Sequence, residues 1–246
     1  RHAIRAAAMA VFCSTTSAWA VDCETTNHDG NAYTVCSVDL STEALRLFLY
    51  DDSGAPLGQF GAIVRDLREN GQRLGFAMNA GMYHSDRAPV GHYVEDGNEV
   101  MRVIPNAGPG NFGLLPNGVF CIRPGRADVF ETLDFVDRAP ECTYATQSGP
   151  MLVIEGALHP RFLVDSTSRY IRNGVGTSTD GQRAVFAISE NPVTFHEFGR
   201  LYRDHLDLPS ALFLDGNISR LYAPDLNRSD IGFSLGPIVG TVEAAD

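Results

Sequence analysis

The chain has 246 residues, with 19 basic residues against 30 Asp plus Glu and a formal net charge of −11. Such a balance excludes a nucleic-acid partner and a purely electrostatic hold on an anionic membrane. Every basic residue is Arg, which also excludes Schiff-base lysine chemistry and the phosphate-loop lysine, so any anion has to be held by Arg or backbone N–H groups.

Residues 1–20 begin Arg1-His2-Ala3-Ile4-Arg5, continue through small and apolar side chains and reach Ala18-Trp19-Ala20. This order predicts a secretory signal peptide cleaved after Ala20 and a periplasmic or secreted protein. The apolar run is too short and too broken by Ser and Thr to span a bilayer, and nothing later approaches that length. Residues 21–246 contain no repeat, charge block or Pro/Ser-rich linker and read as one domain. Their four cysteines, Cys23, Cys36, Cys121 and Cys142, predict two disulfides, with proximity favouring 23–36 and 121–142.

Ala44 to Tyr50 is strand-like, and residues 60–70 place Phe60, Ile63, Val64 and Leu67 on one helical face. Leu114 to Phe120 predicts a hairpin turning at Asn117-Gly118, and Val175 to Ser189 another with Asp180-Gly181 at its tip. Residues 194–206 predict a helix that opens on a Thr194/Glu197 capping box and buries Phe195, Phe198, Leu201, Tyr202 and Leu206. A buried strand follows over Ala211 to Leu214 and ends on Asp215-Gly216. Strands with few helices predict an α+β fold, a single domain of mixed β-sheet with a few packed helices.

Four stretches pair an apolar strand with a Gly-rich polar exit: Phe76 to Tyr83, Gln147 to Leu152, Arg172 to Gly176 and Leu214 to Asn217. Alone, each is a strand end with a turn. Together they offer Asn, Ser, Arg and Asp beside glycines that permit close backbone approach, a set suited to an anionic, hydroxyl-rich substrate.

The order NAGMY, PNGVF, QSGPML, RNGVG, TFHEF and ALFLDG resembles the phosphodiester glycosidase domain family over about residues 30–240. The resemblance implies hydrolysis of a sugar-1-phosphate diester at the glycosidic C1–O bond. Carried over by position, it implies a substrate site at Asn79, Gly81, Ser148, Gly149, Arg172 and Gly216, with Asp215 as the catalytic carboxylate. The better-known branch has three glycines after this aspartate, where this chain has Gly216-Asn217-Ile218. The reaction class is therefore carried over and N-acetylglucosamine as the sugar is not. Two other functions stay open on the residues: a catalytically silent glycan-binding module, and a metal-dependent phosphodiesterase that cuts P–O.

The chemistry fits one well-placed carboxylate. A phosphate monoester leaving group is weakly basic, so neutralisation by Arg172 and backbone N–H groups replaces protonation by a second acid. Asp180 and Glu190 are secondary catalytic candidates whose ordinary readings are a hairpin tip and a solvated strand end. His84, Asp86 and His92 have no recognised metal-binding spacing. No cofactor is required, although the carboxylates leave a divalent cation open; oligomeric state is not set by the sequence.

Overall fold

The computed structural model describes residues 21–215 and 217–245, so the predicted signal peptide and Gly216 lie outside the described residues. The chain opens with β1 (Asp22–His28), β2 (Asn31–Asp39), β3 (Ala44–Phe48), α1 (Phe60–Glu69) and β4 (Gln72–Asn79). Its middle holds β5 (Tyr93–Glu95), β6 (Asn98–Met101), β7 (Gly118–Arg123), β8 (Arg126–Glu131), α2 (Thr132–Arg138), β9 (Tyr144–Ser148), β10 (Met151–Ile154) and β11 (Ala157–Leu158). The last part holds β12 (Asn173–Thr177), β13 (Arg183–Ser189), α3 (Phe195–Arg200), β14 (Ser210–Phe213), β15 (Leu221–Ala223), β16 (Arg228–Ser229) and β17 (Ile238–Ala244).

The architecture is α+β, with three sheets around one core. A seven-stranded sheet runs β1-β2-β13-β12-β14-β10-β11, and two five-stranded sheets run β16-β15-β4-β17-β3 and β6-β5-β9-β7-β8. Phe186 and Leu212 from the first sheet, Phe76 and Met78 from the second, and Tyr93 and Phe120 from the third share that core. Each sheet carries a helix on its other face. Phe198, at the heart of α3, packs on the first sheet, Ile63 and Leu67 of α1 on the second, and Phe135 of α2 on the third.

The predicted face of α1 is the buried one, with Phe60, Ile63 and Leu67 inside and Val64 half-buried. Before α3 the capping box is complete: Thr194 Oγ1 accepts from the Glu197 N–H, and Glu197 Oε2 accepts from the Thr194 N–H, each at 3.1 Å. The helix then widens into a π turn over Leu201–His205, where the Leu206 N–H reaches the Leu201 carbonyl at 2.9 Å. This departure from the predicted continuous α-helix keeps Leu201 and Tyr202 against the first sheet.

Two expectations are corrected. The sheets are not mixed: every described pairing is antiparallel, as the short reversals of β1–β2, β7–β8 and β12–β13 favour. The second hairpin forms as predicted, with β12 pairing β13 around the Asp180-Gly181 tip. The first does not turn at Asn117-Gly118. Gly118 instead begins β7, paired with Glu131 of β8 and Ser148 of β9. A two-residue turn of that kind needs positive φ at both central residues, and neither has it. The run Val119–Ile122 is buried as a central strand, and Asn117 donates its side-chain amide to the Phe112 carbonyl at 2.8 Å. Tertiary burial overrides the local turn signal.

Both predicted disulfides are present, Cys23–Cys36 and Cys121–Cys142. The first joins directly opposite residues of β1 and β2; the second ties β7 to the segment after α2. No helix among the described residues is long and apolar enough to cross a membrane. Replacing both Cys121 and Cys142 by Ser should lower unfolding free energy by about 2–4 kcal/mol, because the open chain regains loop entropy. Denaturant titration of oxidised protein and variant measures this, and an unchanged midpoint would mean the bridge restrains nothing.

Candidate active site

Strand β14 is buried on both faces, with Ala211 to Leu214 at most 1 % exposed. Such a strand cannot shift without exposing apolar surface, so the residue that follows it is held rigidly. Leu214 continues the ladder by donating its N–H to the Asn173 carbonyl at 3.1 Å. The Ser148 hydroxyl, from the end of β9, donates to the Leu214 carbonyl. Strands of two sheets thereby fix the backbone just ahead of Asp215.

Asp215 is itself buried, and burying a carboxylate demands donors. Asn79, at the end of β4, reaches Asp215 Oδ2 with its side-chain amide at 3.2 Å. The Asn217 N–H reaches Oδ1 at 2.9 Å. The Asn79 amide nitrogen also lies 3.2 Å from Asn173 Oδ1 and 2.7 Å from the Ile218 carbonyl, and Asn79 Oδ1 accepts from the Arg220 N–H at 2.8 Å. Asn173 answers by donating its amide to the Asn79 carbonyl at 2.9 Å, and the Ser219 hydroxyl lies 3.0 Å from Asn173 Oδ1. Asn79, Asn173, Asp215 and Ser219 therefore form one connected polar cluster where β4, β12 and β14 end.

Tyr83 borders the cluster. Burial raises its phenol pKa and the Asp215 charge raises it further, while Arg87 and Arg220 pull it back. Arg220 is 7 % exposed, lies flat against Gly232 and donates from Nη1 to the Phe233 carbonyl at 2.5 Å. Sequence reasoning gave no role to Tyr83, although it closes the Phe76–Tyr83 exit, and missed Arg220, which stands outside the glycine-marked strand exits.

Arg172 is placed differently from the expectation. Adjacent residues of a strand face opposite ways, so Asn173 turns to the cluster and Arg172 to the layer under α3. Its guanidinium lies 3.7 Å from the Phe195 ring centroid, with Nε donating to the Val193 carbonyl at 2.8 Å and Nη2 to the Ser168 carbonyl at 3.1 Å. The side chain is 2 % exposed, and burial pushes its pKa down to about 10. Among the described residues, neither Arg172 nor Arg220 has a carboxylate partner.

The glycines serve packing between strands. A Cβ on Gly81 would meet the Gln147 carbonyl and Thr146 Oγ1, and one on Gly149 would meet Asn117 Cβ at 2.7 Å. The secondary carboxylates are bonded to other groups. Asp180 is at the tip of the β12–β13 hairpin, at the end opposite Asn173, and accepts from Ser178 and Gln182. Glu190 accepts from the Thr34 hydroxyl at 2.6 Å and pairs with Arg228 at 2.5 Å. No group of three or more His, Cys, Asp or Glu among the described residues is arranged to hold a metal ion.

A sequence model of the phosphodiester glycosidase family matches residues 72–232, which include Asn79, Ser148, Arg172, Asp215 and Arg220. The chain is 35 % identical over 191 residues to the uncharacterized protein YigE of Escherichia coli K12, covering 78 % of this chain and 73 % of that one. The zebrafish N-acetylglucosamine-1-phosphodiester alpha-N-acetylglucosaminidase catalytic domain, auto-inhibited by its pro-peptide, shares the fold at TM-score 0.59 and 13 % identity, over 89 % of this chain and 81 % of that one. A hypothetical protein from Synechocystis superposes at TM-score 0.60 with 14 % identity, over 90 % of this chain. This chain spans 61 % of the Synechocystis protein.

The surroundings of Arg172 and Ser148 generate a paired prediction. Arg172→Ala strips donors from the buried Val193 carbonyl and the partly buried Ser168 carbonyl and opens a void under Phe195, so it should cost about 2–4 kcal/mol of stability. Ser148→Ala removes one hydrogen bond and should cost only about 1 kcal/mol. Thermal melts of the two variants check the order; an Arg172→Ala melt equal to wild type would mean the guanidinium contributes nothing to the fold.

Proposed function

The chain belongs to the phosphodiester glycosidase family, and we propose that it hydrolyses the glycosidic C1–O bond of a sugar-1-phosphate diester. The observation that carries this reading is Asp215, the one Asp or Glu buried among the described residues, tethered by the Asn79 amide at 3.2 Å where three strands end. Ordinary glycosidases place two carboxylates across the scissile bond because an alkoxide leaving group needs a proton. Asp180 and Glu190, the two other candidates, each have partners outside the cluster, Gln182 for the first and Arg228 for the second. A phosphate monoester leaves without such help, since its second pKa is near 6.

In this reading Asp215 faces the positive charge that develops at C1 as the bond to phosphate oxygen lengthens. It acts by stabilising that charge, by direct attack or by guiding water. Arg220, on the cluster side, takes up negative charge that grows on the departing phosphate; Arg172 adds its field from behind β12. Asn79 and Asn173 hold the carboxylate and offer amides to sugar hydroxyls. The balance is simple: C1–O breaks, the water oxygen joins C1, and one water proton remains with the phosphate monoester at neutral pH or passes to solvent. No step calls for a metal. Cleavage after Ala20 and action outside the cytoplasm on an envelope or extracellular glycan belong to the same proposal, and the two disulfides support an oxidising location.

Asp215→Asn keeps the shape and removes the charge. It should leave the thermal melt within about 1 kcal/mol of wild type and lower kcat on a sugar-1-phosphate diester by at least about a thousandfold. The assay is a panel of such diesters differing in sugar, run with wild type and variant. A variant as active as wild type would reduce Asp215 to an ordinary turn residue.

A further inference from the structure

A hollow in the second sheet collects polar atoms that have no partner. Strand β4 carries a bulge: Thr241 of β17 pairs with Phe76 and Val242 with Leu74, so Gly75 is the extra residue between them. A Cβ on Gly75 would meet Glu243 Oε1 and, at 2.8 Å, Thr241 Oγ1. Two side-chain oxygens of β17 therefore point into the space that the missing side chain leaves. Both are buried and lack a hydrogen-bond partner among the described residues, and Thr241 as a whole is 0 % exposed. Such atoms cost free energy unless a ligand or a water meets them.

A third oxygen of the same kind stands beside them. The β3–β17 register sets Ala44 opposite Val242, and its next step sets Glu43 opposite Glu243. Residues directly opposite share a face, so two carboxylates adjoin where like charges repel. Burial, then the Glu243 and Asp39 charges, push the Glu43 carboxyl up to about 7. Glu43 Oε2 is buried and has no hydrogen-bond partner among the described residues. The neighbouring cations are turned to other atoms. Arg73 pairs with the other oxygen of Glu243, Oε2, at 2.9 Å, and Arg123, which lines a cavity of about 190 Å³ together with Glu43, pairs with Asp128.

We propose that Glu43, Thr241 and Glu243 bind a calcium ion that fastens β3 to β17 over the bulge of β4. The donors are all oxygens, which suits a hard cation; calcium accepts an irregular set completed by water, whereas magnesium demands an octahedron. Two carboxylates that face each other gain most from a divalent charge. A water would satisfy the hydroxyl and leave the repulsion in place. Gly75 precedes Asn79 by four residues of the same strand, roughly 13 Å at the rise of a β-strand. The ion therefore stands apart from the Asp215 cluster, takes no part in hydrolysis and is independent of the glycosidase reading. Its work is to hold the chain's last strand, which lies between β4 and β3.

Thermal melts of chelator-treated protein test this, with CaCl2 added at constant ionic strength. In about 10 mM calcium the wild-type midpoint should rise by about 3 °C or more, as for a millimolar or tighter site in a protein of this size. Glu43→Gln should abolish the rise and Thr241→Val should weaken it, while each keeps the side chain's shape. Glu24→Gln removes an exposed carboxylate of β1 and should keep the full rise. A rise undiminished in Glu43→Gln would put the ion elsewhere and overturn the proposal. So would a wild-type midpoint that calcium leaves unmoved, because the hollow would then hold only water or a shared proton. A rise as large with MgCl2 as with CaCl2 would overturn the choice of ion.

Discussion

Asp215 is a carboxylate held at the seam between two sheets, and much of the local structure follows from keeping it there. A charge removed from water is costly unless donors surround it. Here they come from Asn79 on one sheet and from the turn after β14 on the other, while Asn79 is itself oriented by Asn173, Ile218 and Arg220. Loss of the Asn79 side chain would remove one of the carboxylate's donors and the acceptor of the Arg220 N–H together. Burying β14 on both faces and tying Leu214 to Ser148 and Asn173 serve the same end: the backbone that carries the charge cannot drift.

The alternation of strand β12 divides the site's labour. Consecutive residues deliver Asn173 to the polar cluster and Arg172 to the aromatic layer beneath α3, so one backbone supplies an amide to one side and a cation to the other. Phe195 opens α3 directly after the capping residue Thr194, and its ring supports the Arg172 guanidinium. The capping box thus reaches Arg172 through packing: it fixes where the helix starts, and the start fixes the ring on which the cation rests.

Much of this was legible in the chain. Helical spacing marked the buried face of α1, the Thr194/Glu197 pair marked the start of α3, and cysteine proximity paired both disulfides, because these signals are local. The Asn117-Gly118 turn misled because strand pairing across distant segments outweighed a dipeptide preference, which no local pattern records. Asn79 and Asp215 were readable as polar exits of apolar runs, and the structure brings them to 3.2 Å. Their contact is not readable from spacing, since 135 residues lie between them. Arg172 was readable as a cation but not by its direction, which depends on the phase of β12. Arg220 carried no signal: its place is set by β15 pairing with β4 and by a loop that closes over it.

The central claim is that water is added to carbon and not to phosphorus. Hydrolysis of a sugar-1-phosphate diester in ¹⁸O-labelled water, followed by mass spectrometry of both products, separates the two directly. Attack at C1 puts the label on the released sugar and leaves the phosphate monoester unlabelled. Label in the phosphate would mean P–O cleavage and would contradict the role given to Asp215.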